Sequence, residues 1–140
     1  MDVERLADGL WRWTAGDAGC VYYEAPGAVV LFDPLLPAGE EEKFLAYLDR
    51  DVVRLGLPVS ILLTDPRDER SAPILRERYG ADGRVPASVE ALELAYFIRP
   101  HRALVVASPG VAPTGLSAEL VLVSNPEPAP APGGPGSSGR

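Results

Sequence analysis

The chain has 140 residues, 46% of them hydrophobic, which suits one globular domain with its own core and is too apolar for a disordered chain. Its formal charge of −7 argues against a nucleic-acid partner, because phosphate binding needs a clustered basic surface. No apolar run approaches the roughly 20 residues that span a bilayer. The charged N-terminal segment does not resemble a signal peptide, and Cys20 is the only cysteine. We therefore expect a cytoplasmic protein.

Three strands are predicted in the first forty residues, over 10–13, 20–24 and 28–32. Pro26-Gly27 separates the second strand from the third and is typical of a hairpin turn. The third strand is apolar throughout, which indicates a central position covered on both faces. It ends at Asp33-Pro34.

A helix is predicted next, because Glu40, Glu41 and Glu42 suit a first turn and Gly56 suits a C-terminal stop. Its buried stripe consists of apolar residues at helical spacing, namely Phe44, Leu48, Val52 and Leu55. A short buried strand follows over 59–63, then a helix over 71–79 that Gly80 ends, and then a short strand at or from Val85.

Beyond Ser88 the pattern leaves two alternatives, a short helix over 89–94 or a strand over 92–98. Strands are predicted over 103–107 and 120–123. Helices that alternate with strands indicate an α/β layered fold. Residues 125–140 contain little besides Pro, Gly, Ala and Ser. We therefore divide the chain into a domain over 1–124 and a flexible tail over 125–140. The tail could be a docking segment, but an inert tail is the favoured interpretation.

The choice of polar residues is unusual. Lys43 is the only lysine among 13 basic residues, glutamine is absent, and Asn125 is the only asparagine. Few amide side chains and many prolines favour a thermophilic source, although a GC-rich genome would produce the same arginine bias.

Several segments, taken in order, resemble the metallo-β-lactamase superfamily. They are LADGLWRWTA, the hairpin into VVLFDPLL, the helix leading to VSILLTDPRDERSAPILRERYGA, and RPHRALVVASPG. The resemblance implies a metallo-β-lactamase-like β-sandwich with flanking helices, an α+β layered form of the α/β class. Residues 1–124 are too few for two complete halves of that fold, so we expect the second half to be truncated.

The superfamily places a metal-binding motif, H-x-H-x-D-H, on the loop after the strand that here leads to Thr64. The bound metals polarise the substrate and generate hydroxide at neutral pH. In this chain the four ligand positions hold Asp65, Arg67, Glu69 and Arg70. Arginine stays protonated and has no lone pair to offer a metal. We therefore expect no bound metal and no other cofactor.

The later ligand position also differs. The superfamily usually carries an aspartate after the strand that matches ALVV, and Ser108 lies in that region here. His101, the only histidine, precedes the strand and fits a surface or supporting role. In the superfamily an aspartate at the position of Asp33 braces the site loops. Ser71 lacks the sequence context of a nucleophile and suits a helix start.

We therefore predict a degenerate site loop that forms an ion-pair network or an anion site, with no catalytic residue. Its members are Asp33, Asp65, Arg67, Asp68, Glu69, Arg70 and Ser108. The two arginines would replace the charge of a metal by pairing with Asp65, Glu69 or Asp33.

Three interpretations follow. The favoured one is a non-catalytic protein of this fold, acting in binding, regulation or assembly and forming a homodimer through exposed sheet surface. The alternative is a hydrolase of the superfamily with an altered or metal-free site that acts on a small anionic substrate. The third is an unrelated small α/β domain. A member of the superfamily has to place residues 65–70 at the mouth of two facing sheets, and an unrelated domain does not.

Overall fold

The computed structural model describes residues 1–111, 113 and 115–126. These residues form two sheets, two α-helices and two short 3-10 helices. The strands are β1 (Asp2–Ala7), β2 (Leu10–Ala15), β3 (Ala18–Ala25), β4 (Ala28–Phe32), β5 (Val59–Leu62), β6 (Val89–Leu92), β7 (Ala95–Ile98), β8 (Ala103–Val106) and β9 (Leu120–Val123). The α-helices are α1 (Glu41–Leu55) and α2 (Ala72–Tyr79), and the 3-10 helices are Arg99–His101 and Pro109–Val111.

The first sheet has the order β1-β2-β3-β4-β5 and the second the order β6-β7-β8-β9. Neighbouring strands are antiparallel except β4–β5 and β8–β9, which are parallel. The β4–β5 connection contains α1, as parallel pairing requires a crossover. Within the described part of residues 107–119, the β8–β9 connection contains a 3-10 helix and no α-helix. The second half is thus the simpler one, as the truncated fold predicts.

Strand β4 lies between β3 and β5 and is covered on both faces, as its apolar sequence predicts. Side chains alternate along a strand, so neighbours enter different layers. Val30 and Phe32 pack between the two sheets. Val29 and Leu31 pack against the helices on the other face of the first sheet. The molecule therefore has a helix layer, a first sheet and a second sheet.

Helix α1 matches the sequence prediction closely. Phe44 and Leu48 are its buried residues, and Val52 and Leu55 are half-buried against the same core. Gly56 has a φ of 64° and donates its N–H to the carbonyl of Val52, which is the left-handed C-terminal cap expected of glycine. No helix among the described residues is long and apolar enough to cross a membrane.

Three local predictions are wrong or incomplete. Val85 lies in a loop rather than a strand, and the bridge beside β5 is made by Asp82, which pairs with Ser60. Residues 89–98 form the hairpin β6–β7, so the helix alternative fails, and the strand alternative has the wrong start. Ser71 lies at the N-terminus of α2 but makes no capping hydrogen bond, because its hydroxyl accepts the N–H of Leu36 at 2.9 Å.

Candidate functional site

The candidate site lies where the parallel strands end. Asp33 directly follows β4, Thr64 follows β5 by two residues, and Ser124 directly follows β9. Because parallel strands share the direction of their carboxyl ends, β4 and β5 bring the first two residues together. The N–H of Gly19 donates to the carbonyl of Ser124 at 2.8 Å, which brings the second sheet to the same place. Residues 65–70 therefore lie at the mouth of two facing sheets.

The carboxylate of Asp33 is buried, with 3% of the residue exposed. Its Oδ1 accepts the N–H of Thr64 at 2.8 Å, and its Oδ2 accepts the hydroxyl of Thr64 at 2.6 Å. The hydroxyl of Ser124 also donates to Oδ2. One carboxylate thus holds the loop after β5 and the loop after β9, with three donors supplied by the protein itself.

Arg70 extends into the same mouth, and its side chain is only 5% exposed. Four acceptors receive hydrogen bonds from its two terminal nitrogens: Nη1 donates to the carbonyls of Gly19 (2.8 Å) and Asp33 (2.6 Å), and Nη2 donates to the carbonyl of Ser124 (2.8 Å) and to Oδ1 of Asn125 (2.9 Å). Its Nε lies 3.7 Å from a carboxylate oxygen of Asp68. The guanidinium therefore joins strand ends from both sheets.

Both central residues have unusual backbones. Asp33 has a φ of 50° and Arg70 a φ of 49°, in the left-handed region that residues other than glycine seldom adopt. Such conformations persist where the surrounding contacts hold them in place. Here those contacts are the hydrogen bonds of the two side chains.

Cys20 borders the guanidinium, with its Sγ 3.7 Å from Nη1 of Arg70. Burial raises the pKa of this thiol to about 11, and the nearby positive charge of Arg70 offsets only part of that effect. Burial likewise raises the pKa of Tyr96, and the carboxylate of Asp33 adds to the shift. Both groups therefore stay neutral at physiological pH, and Cys20 is not a ready nucleophile.

The other charged residues of the loop form separate pairs. Arg67 is 83% exposed and bonds Asp65 in a bidentate manner, Nε to Oδ1 at 3.0 Å and Nη2 to Oδ2 at 2.9 Å. These hydrogen bonds lower the pKa of Asp65. Glu69 lies 3.8 Å from a guanidinium nitrogen of Arg76 on α2. The pair of Arg67 and Asp65 is one of those expected from the sequence, whereas Arg70 contacts the main-chain carbonyl of Asp33 and not its carboxylate.

Two further candidates lie outside this set of contacts. Ser108 is half-buried after β8, next to Ala107, whose carbonyl accepts the N–H of Asn125. His101 precedes β8, at the end of that strand opposite to Ser108, and its ring packs edge to face on Tyr23 with centroids 5.7 Å apart.

The residues of the site do not fit the metals that the resemblance implies. A permanent cation, Arg70, enters the loop region where the superfamily carries ligands. Both oxygens of Asp33 already accept protein hydrogen bonds. Across the described ranges, no group of three or more His, Cys, Asp or Glu side chains is arranged to hold a metal ion.

Sequence reasoning missed part of the site. The sequence analysis used Thr64 only to mark where the site loop begins and gave Ser124 no role. It placed Asn125 in the flexible tail. Residues 127–140 of that predicted tail lie outside the described residues. A usable signal was present, because Ser124 follows an apolar strand in the same way as Asp33 does, and polar residues at the carboxyl ends of parallel strands tend to converge.

No family model matches the chain, and no curated protein matches it. Solved structures do match. The metallo-β-lactamase VMB-1 aligns over 90% of this chain and 89% of its own, at 10% identity and a TM-score of 0.57. TMB-1 and the metallo-β-lactamase DIM-1 align over the same shares, at 8% and 6% identity, each with a TM-score of 0.45. The similarity to VMB-1 shows which fold the chain has. The protein has the metallo-β-lactamase fold.

Proposed function

We propose that this protein is a non-catalytic member of its fold that acts in binding, regulation or assembly. The observation that carries the proposal is the position of Arg70. Its guanidinium, 5% exposed, donates four hydrogen bonds to strand ends of both sheets at the mouth where the fold's hydrolases hold metals.

A metal at this mouth would have to displace these bonds or lie beside a second positive charge. Arginine stays protonated in proteins, so it cannot relieve the repulsion by losing its proton. Moving the guanidinium away would take this donor from the carbonyls of Gly19 and Asp33, and it would leave the carbonyl of Ser124 with only the N–H of Gly19. A buried polar group left unsatisfied costs about 1–3 kcal/mol. The arrangement therefore favours a structural arginine over a bound metal.

The groups that a metal-free hydrolase would need are also engaged. The hydroxyl of Ser124 donates to Asp33, and that of Ser71 accepts the N–H of Leu36. The thiol of Cys20 is neutral because its pKa is raised. His101 lies at the opposite end of β8, away from these hydroxyls. No contact at the mouth favours turnover of a small anionic substrate.

Metal titration and activity assays test the proposal together. Isothermal titration with Zn²⁺ and Mn²⁺ should show no stoichiometric binding, and elemental analysis of gently purified protein should give far less than one metal per chain. Assays on β-lactam, thioester and phosphodiester substrates, with and without added metals, should show no turnover above buffer. The matched control is Asp33→Ala, which removes the central carboxylate. One tightly bound metal per chain, or turnover that this substitution abolishes, would overturn the proposal.

We further propose that assembly includes a homodimer formed through the second sheet. The outer strand of the first sheet, β1, carries Asp2, Glu4 and Arg5, and charges of this kind discourage edge pairing. The outer strand of the second sheet, β9, has the apolar sequence LVLV, and Val121 is 53% exposed. Within residues 1–111, 113 and 115–126, no further strand pairs with β9. An apolar edge of this kind favours association with a second copy.

A further inference from the structure

A groove lined by aromatic residues lies on the helix side of the first sheet, beside α1 and above β1 and β2. We call it the aromatic groove, and it has a volume of about 460 Å³. Five rings take part in its lining, those of Trp11, Trp13, Tyr22, Phe44 and Tyr47. Its volume falls within the roughly 300–1,000 Å³ that is usual for small-molecule sites. The groove is therefore large enough for a small organic ligand.

The exposed apolar side chains of the molecule concentrate at this groove. Seven large apolar side chains are exposed among the residues that the structure describes, and three of them, Met1, Val3 and Tyr47, line the groove. The rings of Trp13 and Phe44 form its floor, with centroids 4.9 Å apart. Apolar surface that gathers in a concave place is typical of ligand-binding grooves, whereas apolar side chains scattered singly are ordinary surface.

The polar groups of two lining rings already have partners. The indole N–H of Trp13 donates to the carbonyl of Leu35 at 3.1 Å, and the hydroxyl of Tyr22 donates to the carboxylate of Glu24 at 2.7 Å. A ligand seated on these two rings meets their faces and no free polar group of either. Ring faces attract other flat rings through offset stacking and edge-to-face contact. The lining therefore favours a flat aromatic ligand.

The charged side chains of the lining balance one another. Two are acidic and two are basic, namely Glu40, Asp51, Lys43 and Arg50. The carboxylate of Asp51 lies 3.4 Å from the guanidinium of Arg54, and that of Glu40 lies 3.0 Å from the amino group of Met1. Both basic side chains are exposed, so their charges stay in water. A charged ligand would lose its own hydration here without gaining a free opposite charge, which favours an uncharged one.

We propose that the aromatic groove binds an uncharged, flat aromatic small molecule. The ligand stacks on the rings of the lining and covers the exposed side chains of Val3 and Tyr47. Burial of apolar surface drives binding, so the affinity depends little on salt concentration. This site goes beyond the role proposed for the mouth, because neither Asp33 nor Arg70 lines the groove. Its failure would leave the non-catalytic role of the protein untouched.

Fluorescence titration with N-phenylnaphthylamine tests the proposal, because this uncharged aromatic probe brightens in apolar surroundings. Binding should saturate at one probe per chain and change little with added salt. Anilinonaphthalene sulfonate has the same rings and a negative charge, and it should bind several-fold more weakly. The chain has only two tryptophans, and Trp11→Phe assigns their indole N–H signals in a ¹H–¹⁵N NMR spectrum. The signal of Trp11 should move as the uncharged probe is added.

Two variants on α1 locate the site. Tyr47→Ala removes one exposed ring of the lining and should weaken binding of the uncharged probe about two- to tenfold. Val53→Ala is the matched control, since Val53 is 81% exposed on the same helix and does not line the groove, and it should leave binding unchanged. Circular dichroism checks that both variants are folded.

Three results would overturn the proposal. The first is an absence of saturable binding, or tighter binding of the sulfonate than of the uncharged probe. The second is equal binding by Tyr47→Ala and the natural chain, which would place the probe elsewhere. The third is binding that is lost as the protein concentration rises, because a second copy of the chain would then cover the groove.

Discussion

The guanidinium of Arg70 donates a 2.6 Å hydrogen bond to the main-chain carbonyl of Asp33, and not to that residue's carboxylate. The carboxylate is left to Thr64 and Ser124, so the two charged residues divide their partners between them. Asp33 binds donors after β5 and β9, and Arg70 binds acceptors on β3 and directly after β4 and β9. Opposite charges thus lie together at the mouth of the sheets without forming a simple ion pair.

Substitution of Arg70 should destabilise the fold strongly. Arg70→Met keeps the length of the side chain but removes the donor to the carbonyls of Gly19 and Asp33 and one of the two donors to the carbonyl of Ser124. This should cost on the order of 3–5 kcal/mol. The midpoint of urea unfolding measures the loss. Arg67→Met is the matched control on the same loop, and it should shift the midpoint little, because Arg67 is 83% exposed. Equal shifts for the two variants would contradict the structural role of Arg70.

Gly19 should be intolerant of a side chain for a steric reason. A Cβ atom at Gly19 would lie 2.5 Å from the carbonyl oxygen of Val123, closer than such atoms approach. Gly19→Ala should therefore push β3 and β9 apart and cost about 1–3 kcal/mol. Gly27→Ala is the control, since a Cβ atom there meets nothing within 4 Å. Thermal unfolding followed by circular dichroism should show a lower Tm for the first variant only.

Cys20 should make stability fall at alkaline pH. Burial holds the pKa of its thiol at about 11 in the folded protein, against 9.0 for an exposed thiol. The unfolded chain loses the thiol proton first as pH rises, so the stabilisation by the neutral thiol is complete below pH 9 and falls between pH 9 and 11.

Urea midpoints measured across this range should therefore decline more steeply for the natural chain than for Cys20→Ala. The two proteins differ only at residue 20, so effects of pH on the rest of the chain cancel in the comparison. In the same range a thiol reagent should label the folded protein slowly and the unfolded protein fast. Parallel pH profiles for the two proteins would contradict the burial of the thiol.

The proposed dimer predicts a specific response to charge on β9. Val121→Lys places an ammonium group on the exposed position of that edge and should convert the dimer to a monomer in light scattering at high protein concentration. Val53→Lys, on α1, should leave the mass unchanged. A strict monomer for the natural chain would reject the dimer, without bearing on whether the protein is catalytic.

The parts of the fold that could be predicted are those with a clear period or a marked turn. The hairpin at Pro26-Gly27 and the apolar stripe of α1 satisfy this condition, and both are confirmed. Strands β6 and β7 have four residues each, too few to separate a period of 2 from one of 3.6. Strand β1 was missed because it lies at an edge, where exposed charges replace the usual apolar alternation.

The chemistry of the site could be predicted only in part. The loss of every histidine from the loop after β5 is evident from the sequence, because arginine cannot ligate a metal. The partners of Arg70 are not evident from the sequence, because they are distant along the chain. Gly19 is 51 residues away, Asp33 37 residues and Ser124 54 residues. Contacts so distant depend on how the sheets face each other, which no local pattern encodes.

These long separations also impose an order on folding. During synthesis, Arg70 emerges before Ser124, and two of its four acceptors are missing until the residues after β9 reach the second sheet. The nascent first sheet can form while Arg70 lacks its acceptors on Ser124 and Asn125, but the site at its strand ends stays open. Docking of the last strand therefore completes the second sheet and the contacts of Arg70 together. We expect folding intermediates without β9 to keep a cationic opening that the native molecule does not present.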